Sequence, residues 1–218
     1  MKSTLKFLST LKNNNNRDWF EANKEQYVRS KEELEEVVGK LISGASKFDP
    51  LVKDLEPKNC IFRIYKDVRF SKDKTPYKTN LGASITPGGK KIQAPGYYFH
   101  VEPGKCFVAG GLYMPTPEQL AAIRQEIDYN ADDLLKIFKS KAFSANFNGL
   151  DEIDLLKTTP KGYNKDHKHL NLLKHKHFIV SYDLKDKDLL DAKAADKIIS
   201  VFKSMYPFME YLRHAIEK

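Results

Sequence analysis

The residues best suited to chemistry lie together in Arg63-Ile-Tyr-Lys-Asp-Val-Arg-Phe-Ser-Lys-Asp-Lys-Thr-Pro-Tyr-Lys, which ends at Lys78. Alternation over Ile61 to Phe70 predicts a strand with Phe62, Ile64, Val68 and Phe70 on its apolar face and Lys66 as the exception. Arg63, Tyr65, Asp67 and Arg69 would share the polar face. At ~3.3 Å per residue, Arg63 and Arg69 would stand ~20 Å apart, too far to hold one phosphate-sized anion, and Asp67 only ~7 Å from Arg69. Asp67 is therefore expected to orient Arg69, and it is an acid/base candidate. Ser71 to Lys78 is expected to form a loop stiffened by Pro76. On it Lys74 and Lys78 would converge with Arg69 into an anion pocket walled by Tyr77. The competing reading is a solvated basic strand-loop whose charges pair across the sheet.

Histidine is the second signal. His100 shares the polar face of a predicted strand, Tyr97 to Glu102, with Tyr98 and Glu102, and an imidazole beside a carboxylate can act as a general base. His167-x-His169 and His175-x-His177 place imidazoles in pairs, but a metal site needs a third or fourth ligand and flanking lysines repel a cation. Neither a metal nor a cofactor is expected. The phosphate-binding Gly-x-x-x-x-Gly-Lys loop, the Gly-x-Gly-x-x-Gly fingerprint and the Gly-x-Ser-x-Gly elbow do not occur. Cys60 and Cys106 are expected in the core.

The elements that must position these groups begin with a short helix from Ser3 to Lys12. A longer one is expected from Arg17, capped by Asn16, to about Phe48, stopped by Asp49-Pro50. Strands are predicted at Leu81–Thr86, Tyr97–Glu102 and Cys106–Leu112, joined by turns at Pro87-Gly-Gly, Ala94-Pro-Gly and Glu102-Pro-Gly-Lys. Such short connections imply antiparallel pairing. A capping box at Thr116-Pro-Glu-Gln opens a helix, and Asn130 is expected to cap another. A late strand at His177–Leu184 follows an irregular stretch. The C-terminus is expected to be one helix from about Asp188, or two broken at Pro207. The expected fold is a single α+β domain over residues 1–218, its antiparallel sheet of short strands in the middle of the chain packed by N-terminal and C-terminal helices.

Composition fits an ordinary globular chain: 218 residues, 41% hydrophobic, with a net charge of +8. The charge is concentrated. Residues 58–91 hold nine basic against two acidic side chains and residues 157–177 hold six against one, which leaves the remainder mildly acidic. No run of ~18 apolar residues suggests a membrane span. Two cysteines and no signal peptide point to a reducing cytoplasm.

Several motifs resemble one family. They are Arg17-Asp-Trp-Phe after the Asn run, the Arg63 to Lys78 stretch, Tyr97-Tyr-Phe-His-Val-Glu-Pro-Gly, Gly110-Gly-x-Tyr-x-Pro with Arg124, and Pro160-Lys-Gly-Tyr-x-x-Asp-His. Along its whole length the chain is similar to a widespread, mainly bacterial family of uncharacterised proteins known as a domain of unknown function. The resemblance implies an α+β domain with no established activity. It singles out Arg63, Asp67, Arg69, Lys74, Tyr77, Lys78, His100, Arg124, Tyr163, Asp166 and His167, whereas His169, His175 and His177 fall outside its motifs.

These readings favour binding of a small anionic ligand, phosphorylated compounds included, at the basic strand-loop, with Asp67 and His100 as acid/base groups. Arg63, Arg124, Tyr163 and His167 complete the ligand-binding set. Whether the chain is an enzyme stays open at this level, as does its oligomeric state. The alternatives are nucleic-acid binding through the two basic segments, less favoured because no reader motif occurs, and a protein-interaction module using exposed aromatics such as Tyr97 and Tyr113.

Overall fold

The computed structural model describes residues 1–217 and has an α+β architecture. Helices α1 (Lys2–Asn13), α2 (Arg17–Ala22), α3 (Lys24–Ala45) and α4 (Pro57–Cys60) precede strands β1 (Leu81–Ile85), β2 (Gly96–Val101) and β3 (Cys106–Leu112). Helices α5 (Pro117–Lys139), α6 (Lys141–Ser144) and α7 (Leu170–Leu173) lead to β4 (Phe178–Leu184) and the final helix α8 (Ala194–Glu217). The four strands form one antiparallel sheet in the order β1-β2-β3-β4. Among the described residues no helix is long and apolar enough to cross a membrane.

Local signals account for most boundaries. Asn16 accepts a hydrogen bond from the Trp19 N–H at 2.9 Å and starts α2, and Thr116 and Gln119 close the expected capping box. The Glu102 carbonyl accepts from the Lys105 N–H at 2.8 Å across a turn with Gly104 at φ 76°.

Alternation then sorts the sheet into two faces. Leu81, Ala83, Ile85, Tyr97, Phe99, Val101, Val108, Leu112, Phe178 and Val180 are buried on the inner face. Gly110 also faces this side, where a Cβ would come within 2.6 Å of the Met205 sulfur of α8. Tyr97 is therefore a core residue, 1% exposed, and not the exposed aromatic that its composition suggested. Its ring packs on Phe48 and Phe202. Its hydroxyl donates to Asp49 at 3.0 Å. Asp49 in turn accepts two hydrogen bonds from Arg213 of α8, at 2.9 and 2.8 Å, with both residues buried.

Four further expectations are corrected. Ile61 to Phe70 is not a strand: it makes isolated bridges from Ile61 to Ala83 and from Tyr65 to Tyr77 and is otherwise irregular. Lys66 at an apolar-face position breaks the stripe, and Phe70 is 95% exposed. The segment folds back on itself, with the Lys78 N–H donating to the Ile64 carbonyl at 2.8 Å. The long N-terminal helix is interrupted at Asn23, whose backbone leaves the helical region at φ −114°. Asn130 kinks the continuous α5 (φ −131°) where a separate helix was expected. Finally, α8 starts at Ala194 and not near Asp188, and of the two expected alternatives it is the single helix, running unbroken through Pro207. Pro207 and Lys203, the residue whose carbonyl loses its partner, both lie on the exposed side, where water can replace the missing bond.

Gly111 marks a tight point between β3 and β4. It sits at φ 131°, and a Cβ would lie 2.0 Å from the Phe178 carbonyl oxygen. Gly111→Ala is expected to lose on the order of 3 kcal/mol through strain and overpacking. For a chain of this size that is a fall in Tm of roughly 6–12 °C, measurable by thermal unfolding. A fall within ~1 °C would show that β3 and β4 separate freely there.

Candidate functional site

The outer face of the sheet forms the base of a cavity of about 700 Å³, and among the described residues no helix lines it. Its centre is a cross-strand row in which three of the four residues are small. Ser84 pairs with Tyr98, Tyr98 with Ala109, and Ala109 with Ser181. Gly96, Gly111 and Ile179 form the next row. Small side chains on an antiparallel face leave a hollow, and larger residues at the margins wall it. Phe62, Tyr98, Phe107 and Tyr113 supply aromatic walls. Lys78 and Lys90 stand among the lining residues, as do Asp151 and Asp183. The volume lies within the ~300–1,000 Å³ typical of small-molecule sites.

The loops that hold these walls are tied down. Lys90 follows a turn closed by the Gly89 N–H donating to the Thr86 carbonyl at 2.7 Å. Its ammonium donates to the Ile61 carbonyl. The Gln93 amide donates to the carbonyls of Tyr113 and Met114, and its own carbonyl accepts from Gln119 of α5 at 2.8 Å.

Lys78 differs from the other lysines of its segment. It is half-buried, and among the described residues no carboxylate pairs with it. Its ammonium lies 5.8 Å from the centroid of the Phe62 ring, in cation–π contact. Burial, reinforced by the nearby positive charge of Arg63, holds its pKa below the usual lysine value.

His100 sits on the same outer face and stacks on Phe107 at 4.6 Å between ring centroids. Its Nδ1 is 3.0 Å from the Tyr98 hydroxyl and its Nε2 3.5 Å from Glu102. Burial pushes its pKa below the ordinary imidazole value, against an opposing pull from Glu102. Burial also raises the Tyr98 phenol to about 12.

The remaining sequence-derived candidates fall elsewhere. Asp67 and Arg69 form a bidentate pair, Nε to Oδ1 at 2.9 Å and NH2 to Oδ2 at 2.6 Å, on an exposed loop. The guanidinium holds the Asp67 carboxyl below the usual carboxylate range. Lys74 donates to the Val68 carbonyl of that loop at 3.0 Å. Arg63 is exposed beside it. Tyr77 is buried and stacks on Phe20 at 3.9 Å, so it anchors the loop to α2. Arg124 is a tether, donating to the carbonyls of Leu173 and His175 at 2.9 and 3.3 Å.

A second hollow, about 400 Å³, lies at the α5 kink and is lined by Asp128, Asp132, Asp133, His167 and His169. Tyr163 meets the edge of the His167 ring at 6.0 Å. His167 contacts Asp128 through Nε2 at 2.8 Å and accepts from the His169 N–H through Nδ1 at 3.0 Å. With both nitrogens engaged, this imidazole pins the loop to α5 and has no lone pair left for proton transfer. His177 accepts from the Met114 N–H through Nδ1 at 3.0 Å.

The sequence candidates thus divide among the basic loop, the sheet-face cavity and the α5 kink. Sequence reasoning missed Lys90, Asp183 and the row of small residues. The row had a legible signal, because Ser84, Ala109 and Ser181 all occupy outward positions of expected strands.

A family model described as conserved hypothetical protein (DUF2461) matches residues 3–211, nearly the whole chain. The chain belongs to this family. The match to DUF2461 takes in all four strands and every residue that lines the cavity. No curated protein and no solved structure matches the chain.

Proposed function

We propose that this DUF2461 protein binds a small organic anion with a flat apolar body in the cavity on the outer face of its sheet. The observation that carries the proposal is Lys78: a half-buried cation without a carboxylate partner, at the edge of an aromatic-walled hollow. Burying a charge without a partner is unfavourable, and an anionic ligand relieves that cost. Lys90 adds a second cation on the lining. The small residues admit a planar group against the sheet, where Phe62, Tyr98 and Phe107 can pack on it. Asp151 and Asp183 suit ligand hydroxyl or amino donors.

Naphthalene-2-sulfonate, phenyl phosphate and inorganic phosphate, screened by thermal shift, test this reading. An aromatic anion at ~100 times its Kd stabilises by ~2.7 kcal/mol, a rise in Tm of roughly 5–11 °C. Lys78→Ala should remove most of the rise and Arg69→Ala should leave it intact. Equal losses in both variants, or no rise with any of the three, would overturn the proposal. The competing nucleic-acid reading predicts instead an affinity that drops steeply with salt.

A further inference from the structure

Tyr98 and His100 occupy successive outward positions of β2, Glu102 follows directly after its end, and their polar atoms form a chain from the cavity wall to the sheet margin. Two proton arrangements keep both hydrogen bonds of His100, to Tyr98 and to Glu102, at the same heavy-atom positions. With His100 neutral, Nε2–H donates to Glu102, so Nδ1 must accept and the Tyr98 O–H is spent on it. Toward the cavity the tyrosine then offers lone pairs alone, which repel an anion. With His100 protonated, Nδ1–H donates to the Tyr98 oxygen, and the phenol O–H is released to donate elsewhere. Among the described residues His100 is the hydroxyl's one hydrogen-bond partner, so that donor has no competing acceptor within the protein.

We propose that filling the cavity with an anion draws one proton onto His100, because only the imidazolium frees the Tyr98 hydroxyl to donate to the ligand while Nε2–H still donates to Glu102. The inference rests on the anion-binding reading above and adds a proton to it. Geometry favours the coupling. The Phe62 ring borders both Lys78, at 5.8 Å, and Tyr98, at 6.3 Å between centroids, so an anion held by the lysine comes up beside the tyrosine. Glu102 stands ready to stabilise the imidazolium.

The surroundings of His100 contain few competing charges. Opposite it, β1 presents Gly82 and β3 presents Phe107, neither of them charged. A Cβ at Gly82 would lie 2.4 Å from the Tyr98 hydroxyl, so the glycine makes the room that lets the phenol reach the imidazole. The charged groups lining the cavity are Lys78, Lys90, Asp151 and Asp183. Burial keeps the free-state imidazole neutral near pH 7, so the proton arrives with the ligand. Affinity therefore falls as pH rises, by up to about tenfold per unit for one linked proton.

Isothermal titration with naphthalene-2-sulfonate at about pH 7, in bis-Tris and in Tris, whose buffering species are amines and not anions, counts the protons. The sulfonate stays ionised throughout this range, so any proton belongs to the protein. The slope of observed heat against buffer ionisation heat should approach one proton taken up per ligand. His100→Gln should bring it near zero, and so should Tyr98→Phe, which keeps both the ring and the imidazole. Saturable binding without uptake in the parent protein overturns this inference and leaves the anion-binding reading standing. Uptake that persists in His100→Gln also overturns it, by placing the proton on another group. Absence of any saturable heat overturns both.

Discussion

Asp49→Ala is expected to destabilise the protein by about 3–5 kcal/mol, the cost of leaving a buried charge without its partner. Asp49 is fully buried and gathers two hydrogen bonds from Arg213, one from Tyr97 and one from the Leu51 N–H. Its removal strands the Arg213 guanidinium, of which Nε already lacks a partner and NH2 would retain the Pro95 carbonyl at 3.3 Å. Three parts of the chain meet here: the end of the α3 region, the start of β2 and the last turns of α8. The loss should therefore be global and cooperative. Urea unfolding measures it as a lower midpoint at unchanged slope, with a fall in Tm of roughly 6–20 °C. Arg213→Met should cost a similar amount, and the double variant Asp49→Leu/Arg213→Met less than the sum, because replacing both partners removes the stranded charge. A single-variant loss below ~1 kcal/mol would mean that water reaches the pair.

Ser181→Phe is expected to weaken binding of an aromatic anion by roughly 5- to 150-fold, the equivalent of ~1–3 kcal/mol of overpacking. Ser181 lies on the outer face next to Ala109, at the β4 end of the cross-strand row that floors the cavity. A ring there occupies the space into which the ligand's flat body must settle, and Lys78, Lys90 and the Tyr98–His100 pair are left untouched. Because the position is half-exposed and faces away from the core, the melting temperature without ligand should stay within a few degrees. A binding titration beside a melting curve separates the two effects. Unchanged affinity in a well-folded variant would place the ligand elsewhere.

Where the signal was local, the sequence could be read. Capping residues, the Pro103-Gly104 turn and strand patterning placed all four strands to within a residue at each end, and the outward trio of Tyr98, His100 and Glu102 followed directly from period-two alternation. The failures share a cause. Arg63 to Lys78 looks like a strand by composition, but its neighbours are set by long-range packing: Tyr77 stacks on Phe20, and its backbone is held on both sides by the Asn15 amide. Asp67 does pair with Arg69, as the spacing implied, but Lys66 also pairs within the loop, with Asp73 seven positions on. Which lysine lacks a partner depends on that fold-back, and spacing alone gives Lys74 and Lys78 equal standing. Arg213 and Asp49 are separated by 164 positions, so nothing local marks them as partners.

The central claim is that the ligand sits on the open face of the sheet and not on the basic loop. Backbone amide NMR of the labelled protein, titrated with naphthalene-2-sulfonate, tests it most directly. Saturable shifts are expected at Phe62, Lys78, Tyr98, His100, Ala109, Tyr113 and Ser181, all with one shared Kd. Saturable shifts confined to Lys66–Lys74, or to Asp128 and His167 at the α5 kink, would contradict the account.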